Sequence, residues 1–253
     1  MPREMRDIGE RGLFFFHNPK AGGTSVGRAL ESMFAPDERC PLIENSERDH
    51  ERRGSDYAAF CGFRYYGGHY GHDIFRAVAD RQDAVTNFRD PTARLLSLYN
   101  YYRLNVTVPD DPAQLDNYYA VVFAQEVDFH HFVSTDDPRV EIHTRNHHVR
   151  QLTNSGWSGD SAGDLTHAIA LLERMAWFYA CEYPELSMRW GREVFGEPLP
   201  LISRENVTSR SKGGQLAVTT IDPATRRAIH GKNVLDEALH AHAVRRLLSR
   251  TRV

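Results

Sequence analysis

A chain of 253 residues, 41% hydrophobic and 26% charged, is long enough to bury a sizeable core and is ordinary for a globular protein. Its net charge of -3 argues against a general affinity for nucleic acid or anionic lipid. Cys40, Cys61 and Cys181 are widely spaced and form no C-x-x-C pair, which argues against a disulfide framework or a cysteine zinc site and for a reducing compartment.

The opening segment, Met1 to Gly12, is charged and lacks the apolar stretch of a signal peptide. No run in the sequence approaches bilayer length. The expectation is a cytoplasmic protein without a stable membrane anchor. Leu13 to Phe16 read as a short buried strand. His17-Asn18-Pro19-Lys20-Ala21-Gly22-Gly23-Thr24-Ser25 follows, and then a helical run from Val26 to Phe34. Strand, glycine-bearing loop and helix make a phosphate cradle. Amides of the first turn and the helix dipole attract an anion, and the paired glycines let it approach. Lys20 adds a full charge, while Thr24 and Ser25 can cap the helix or donate to an anion's oxygen.

Residues 36–56 are polar and read as a surface connection. Ala58 to Phe63 is expected to be a second strand. Tyr65 to His72, rich in glycine and histidine, is expected to be a loop at the end of that strand. Ala84 to Phe88 reads as a third strand running into Arg89, with Asp90 as N-cap and Pro91 in the first turn of a helix. Leu95, Leu98, Tyr99 and Tyr102 recur at helical spacing as a buried stripe, and Ser97 lies off it. Residues 114–150 look mainly helical, with His143 and His147 able to share one helix face. Tyr65, Tyr66 and Tyr99 to Tyr102 read as core.

Residues 153–164 read as a Gly/Ser-rich loop, and Leu165 to Met175 as a helix. Trp177 to Cys181 reads as a buried strand and Pro184 to Phe195 as a helix. Residues 203–220 read as an irregular loop carrying Arg204, Arg210 and Lys212, and Asp222 to Arg250 as a last helix. Without H-E-x-x-H or cysteine partners, the histidines predict no zinc site. Short apolar strands alternating with helices predict one α/β domain over residues 1–253, a parallel sheet flanked by helices on both faces. In such sheets a ligand lies outside the carboxyl ends of the strands, where the cradle, His69 and Arg89 are all expected.

The cradle is not the loop of nucleotide triphosphatases, in which Lys follows the second Gly. Here Lys precedes the glycine pair. The order P-K-x-G-G-T-S resembles the 5′-phosphosulfate loop of sulfotransferases that use 3′-phosphoadenosine 5′-phosphosulfate (PAPS). It is most similar to the branch of heparan sulfate 2-O-sulfotransferases and bacterial carbohydrate-type relatives. Arg89-Asp90-Pro91 with Ser97, eight positions after Arg89, is similar to that family's 3′-phosphate motif. Gly68-His69 is similar to the loop on which members carry a catalytic base.

The resemblance implies a P-loop-like sheet and PAPS as the donor co-substrate. Lys20, Ala21, Gly22, Gly23, Thr24 and Ser25 would hold its 5′ end, and Arg89 and Ser97 its 3′-phosphate. Arg210 and Lys212 would close over the nucleotide. His69 would be the base, with His72 a second candidate, and Lys20 would stabilise charge on the bridging oxygen. No metal is required. The acceptor would be a hydroxyl of a glycan or small alcohol, with no nucleic acid as partner. Asn146 to Leu152 is vaguely similar to an acceptor-side segment, and Glu182 follows a strand as a glutamate does in relatives. Two departures stand out: Ala21 where many relatives have Thr, and Asn18 where an apolar residue is common. A P-loop-type kinase and a non-catalytic nucleotide-binding module remain as alternatives.

Overall fold

Four apolar side chains in succession, Leu13 to Phe16, make β1 (Gly12–Phe16) an inner strand, buried throughout. It pairs on one side with β2 (Tyr65–Gly68) and on the other with β3 (Gln82–Phe88), which carries β4 (Trp177–Ala180). All pairings are parallel, and the order is β2-β1-β3-β4. The structure is a computed structural model and describes residues 11–41, 61–69, 72–153, 161–196, 199 and 218–250. Its helices are α1 (Gly23–Glu31), α2 (His72–Val78), α3 (Pro91–Asn105), α4 (Tyr119–Glu126), α5 (Phe129–Ser134), α6 (Pro138–Thr144), α7 (His147–Leu152), α8 (Ala162–Arg174), α9 (Pro184–Phe195) and α10 (Pro223–Arg250).

The pleat of β1 splits its aromatic side chains between two helices, because neighbouring side chains point to opposite faces. Phe14 and Phe16 meet Phe75 of α2, both at 5.1 Å between ring centroids. On the other face Phe15 lies under Gly27 of α1, and the Tyr65 hydroxyl donates to the Gly27 carbonyl at 3.1 Å. The α/β expectation thus holds: an all-parallel sheet flanked by helices. A second apolar cluster, away from the sheet, joins Leu95, Leu98 and Tyr99 of α3 to Phe132 of α5, Val140 of α6 and Ile229 of α10. Among the described residues, no helix is long and apolar enough to cross a membrane.

Several boundaries differ from the sequence expectation. Among the described residues the strand that follows β1 in the chain is Tyr65–Gly68; of the expected strand from Ala58 to Phe63, positions 58–60 lie outside the described residues, and Cys61 and Gly62 form a turn, with Gly62 at φ +104. The glycines do not break the strand. A Cβ at Gly67 would stand 2.5 Å from the Tyr65 hydroxyl, so the bare backbone makes room for that ring. His143 and His147 do not share a helix, because the chain breaks at Asn146, at φ 38. Ser161 caps α8 inside the stretch read as a loop; its hydroxyl accepts from the Asp164 amide, and the Asp164 carboxylate accepts from the Ser161 amide. Ser97, read as off the buried stripe, is itself buried.

The last helix carries a non-helical residue, Asn233. There Asn146 and Asn233 clasp each other. The Asn146 amide donates to Asn233 Oδ1, and Asn146 Oδ1 accepts from the amides of Leu235 and Asp236, all at 3.1 Å. Both Asn146→Gly and Asn146→Ala lose this side chain, but only Ala must carry a Cβ into the left-handed region. Urea unfolding should rank native above Asn146→Gly above Asn146→Ala, the last two separated by about 1–2 kcal/mol. Equal stability of the two variants would contradict the strained backbone.

Candidate functional site

The loop between β1 and α1 is shaped by two left-handed residues, Lys20 at φ 64 and Gly22 at φ 76. Gly22 is the N-cap of α1 and contributes no side-chain cap, so the helix opens on bare backbone. A Cβ at Gly22 would come 3.1 Å from Cys181 Sγ. Gly23 is free of a Cβ for a different reason than an approaching anion alone. The His17 ring occupies that space, with Cδ2 at 1.9 Å and Nε2 at 2.0 Å from where the Cβ would be.

A buried amide on β3 fixes the loop. Asn87 Nδ2 donates to the carbonyls of Asn18 and Ala21 at 2.9 and 2.8 Å, and its Oδ1 accepts from the Asn18 amide at 2.8 Å. Arg89, just past the end of the same strand, donates from Nη1 to the Lys20 carbonyl at 3.1 Å. The two sequence motifs, about seventy residues apart, therefore touch. Asp90 caps α3 by accepting from the Ala93 amide at 2.9 Å, with Pro91 in the first turn, as its sequence signature predicts.

Arg89 lies close enough to Lys20 that its charge disfavours the lysine's own. Burial, then Arg89, pushes the Lys20 ammonium down to about 8. Among the described residues no carboxylate forms an ion pair with either side chain. Lys20 Nζ instead stands 3.7 Å from the centre of the Tyr101 ring. Tyr101, read as core, is 38% exposed.

His69 follows β2 and joins this group. Its Nδ1 bonds the His17 carbonyl at 3.0 Å. A carbonyl only accepts, so the proton is on Nδ1 and the neutral ring carries its basic lone pair on Nε2. The His17 and His69 rings stack at 4.3 Å. Burial and the Lys20 charge hold His69 below its ordinary value against the opposing effect of that carbonyl. Burial, then His69 and Lys20, holds His17 well below its own. His72 is instead the first residue of α2, its ring edge-on to Phe75 at 5.9 Å.

Thus Arg89, from the end of β3, and His69, from the end of β2, come to the loop that runs from Lys20 through Gly22 and Gly23 into α1. Ala21 and Ser25 are buried there and Thr24 is exposed. Ser97 lies on α3, two turns beyond Arg89. Arg204, Arg210 and Lys212 lie outside the described residues. Glu182 is no solvated carboxylate: it accepts from the Asp90 amide at 2.8 Å and pairs with His240 at 3.3 Å. The Asn146–Leu152 segment is buried support. Gln151 Nε2 donates to the His17 carbonyl at 3.0 Å, and His148 Nε2 to the Thr86 hydroxyl, also at 3.0 Å. A crevice beside Arg89, lined also by Asn18, Arg94, His148 and Asp236, is too narrow for more than about one water.

Sequence reasoning missed His17, Asn87, Tyr101 and Gln151. Asn87 alone gave a signal, an amide in the mostly apolar stretch from Ala84 to Phe88. No family model and no curated protein matches the chain.

Asn87→Ala leaves three backbone groups of the loop without their partner. It should lower stability by roughly 3 kcal/mol in urea unfolding, since each orphaned buried group costs ~1–3 kcal/mol. A loss below about 1 kcal/mol would mean that the loop does not depend on it.

Proposed function

We propose that the protein transfers a sulfuryl group from PAPS to an acceptor hydroxyl on a glycan or a small alcohol. The observation that carries this reading is the contact between Lys20 and Arg89. Two neighbouring cations, Lys20 on the loop and Arg89 at the end of β3, with no carboxylate paired to them among the described residues, favour an anionic ligand. A donor with phosphates at its 5′ and 3′ positions supplies separate anionic groups for the P-K-A-G-G-T-S loop and for Arg89 with Ser97. The P-loop-like character of the sheet belongs to the same proposal.

In this reading the loop amides from Gly22 to Ser25 hold the 5′-phosphate, and Arg89 the 3′-phosphate through its planar fork of donors. Positioning and electrostatics then supply the rate. As the acceptor oxygen bonds to sulfur, its proton passes to Nε2 of His69. The bond from sulfur to the bridging oxygen breaks, and the electron pair stays on the phosphate. Lys20 stabilises the charge that gathers on that oxygen. His69 suits the task because its lowered pKa keeps it unprotonated at neutral pH.

Adenosine 3′,5′-bisphosphate should raise the melting temperature without magnesium. Stabilisation only by ATP with magnesium would favour the kinase reading instead. Turnover of labelled PAPS over a panel of glycans and alcohols separates an enzyme from an inert binding module. His69→Gln should lower kcat by about 10²–10⁴-fold, the range for a lost general base. The pH profile of kcat/KM should fall on the acid side below the ordinary histidine value of 6.5, where His69 takes up its proton. It should fall again above about 8, where Lys20 loses its charge. Unchanged turnover in His69→Gln would remove His69 as the base.

A further inference from the structure

We infer that His17 is a further anion-binding residue of the cradle, its Nε2–H donating to the 5′-phosphate. This rests on the sulfuryl-transfer reading and extends it to a residue outside both sequence motifs. The His17 ring is held by two stacks, with Phe15 at 5.4 Å and 10° and with His69 at 4.3 Å and 28°. What remains to act is the ring edge, and its Cδ2–Nε2 side lies over Gly23, the first residue of α1. The Gly23 amide is one of those that open the helix toward a ligand.

The chemistry of that edge fits an oxyanion. Neither ring nitrogen of His17 has a hydrogen-bond partner among the described residues, and the ring is only partly buried. With its pKa held well below the usual range, the imidazole is neutral at pH 7 and selects whichever tautomer its neighbour requires. A phosphate oxygen accepts only, so it selects Nε2–H. A neutral donor beside Lys20 adds a hydrogen bond without adding a third charge to two that already repel. The ring also explains the second glycine of the pair, since any side chain at position 23 would displace His17.

The test compares two nucleotides that differ only in the group at issue. Calorimetry measures the affinities of adenosine 3′,5′-bisphosphate and adenosine 3′-monophosphate for the native protein, His17→Phe and His17→Asn. Phe keeps a ring to stack and removes the nitrogens. Asn gives a second variant should Phe fit poorly. The monophosphate should bind all three proteins within about twofold. The advantage of the bisphosphate should shrink about tenfold in His17→Phe, the equivalent of one charge-assisted hydrogen bond. His17→Asn should show the same loss of preference. An undiminished preference in a variant that still binds the monophosphate overturns the role of His17 and leaves the sulfuryl-transfer reading standing. Failure of the native protein to bind either nucleotide overturns that reading, and the inference with it.

Discussion

Arg89, at the end of β3, donates to the carbonyl of Lys20 at 3.1 Å, which holds a second positive side chain against the loop that carries Lys20. Such a pair costs folding free energy: the depressed pKa of Lys20 records both its burial and its repulsion by Arg89. A protein that needed only stability would have placed a carboxylate between them. The sheet order makes the juxtaposition possible. β1 and β3 are hydrogen-bonded neighbours, so the loop leaving β1 and the arginine leaving β3 emerge side by side. Asn87, the penultimate residue of β3, then ties that loop to the strand through three hydrogen bonds.

Much of this was legible in the sequence where the determinant is local. An apolar run, an Asp-Pro cap and a glycine pair before a helix each act within a few residues. The strands β1, β3 and β4 and the helices α3 and α9 consequently fall close to where pattern places them. Tyr65 to Gly68 reads as a loop in the sequence because Gly67 and Gly68 suggest a break, whereas the bare backbone of Gly67 makes room within the strand for the Tyr65 ring. The helix break at Asn146 was not visible, because its left-handed backbone is secured by a partner 87 positions away, Asn233. The site divides the same way. Lys20 and Arg89 announce themselves by motif. His17, Gln151 and Tyr101 gain a role only from what the fold sets against them.

The histidines near the sheet show how burial fixes protonation. Desolvation holds His143 at about 4 and His148 at about 3, with Arg94 the next contributor in each. They are therefore neutral at pH 7 and serve as hydrogen-bonding groups of fixed direction. His148 donates to Thr86, whose hydroxyl donates on to the Phe16 carbonyl at 2.8 Å. The chain just before His17 is thereby pinned from the side of α7.

What pins α7 in turn is a pair of buried charges that do not meet. Arg94 on α3 and Asp236 on α10 are 1% and 4% exposed. Two such ions could have formed a direct salt bridge, but each binds the backbone of the intervening segment instead. Arg94 Nη2 donates to the His143 carbonyl at 3.0 Å, while Asp236 accepts from the amides of His148 and Val149 at 3.1 and 2.9 Å. Breaking either arm would strand a buried charge, and removing one partner of a buried ionic arrangement costs ~3–5 kcal/mol. The segment from His143 to Val149 is thus locked between α3 and α10 at both ends. Gln151, two residues further on, is carried to the His17 carbonyl, the same oxygen that orients His69. Two buried charged residues, Arg94 and Asp236, thus hold the segment that reaches the carbonyl to which the proposed base is bonded, although neither of them touches that base.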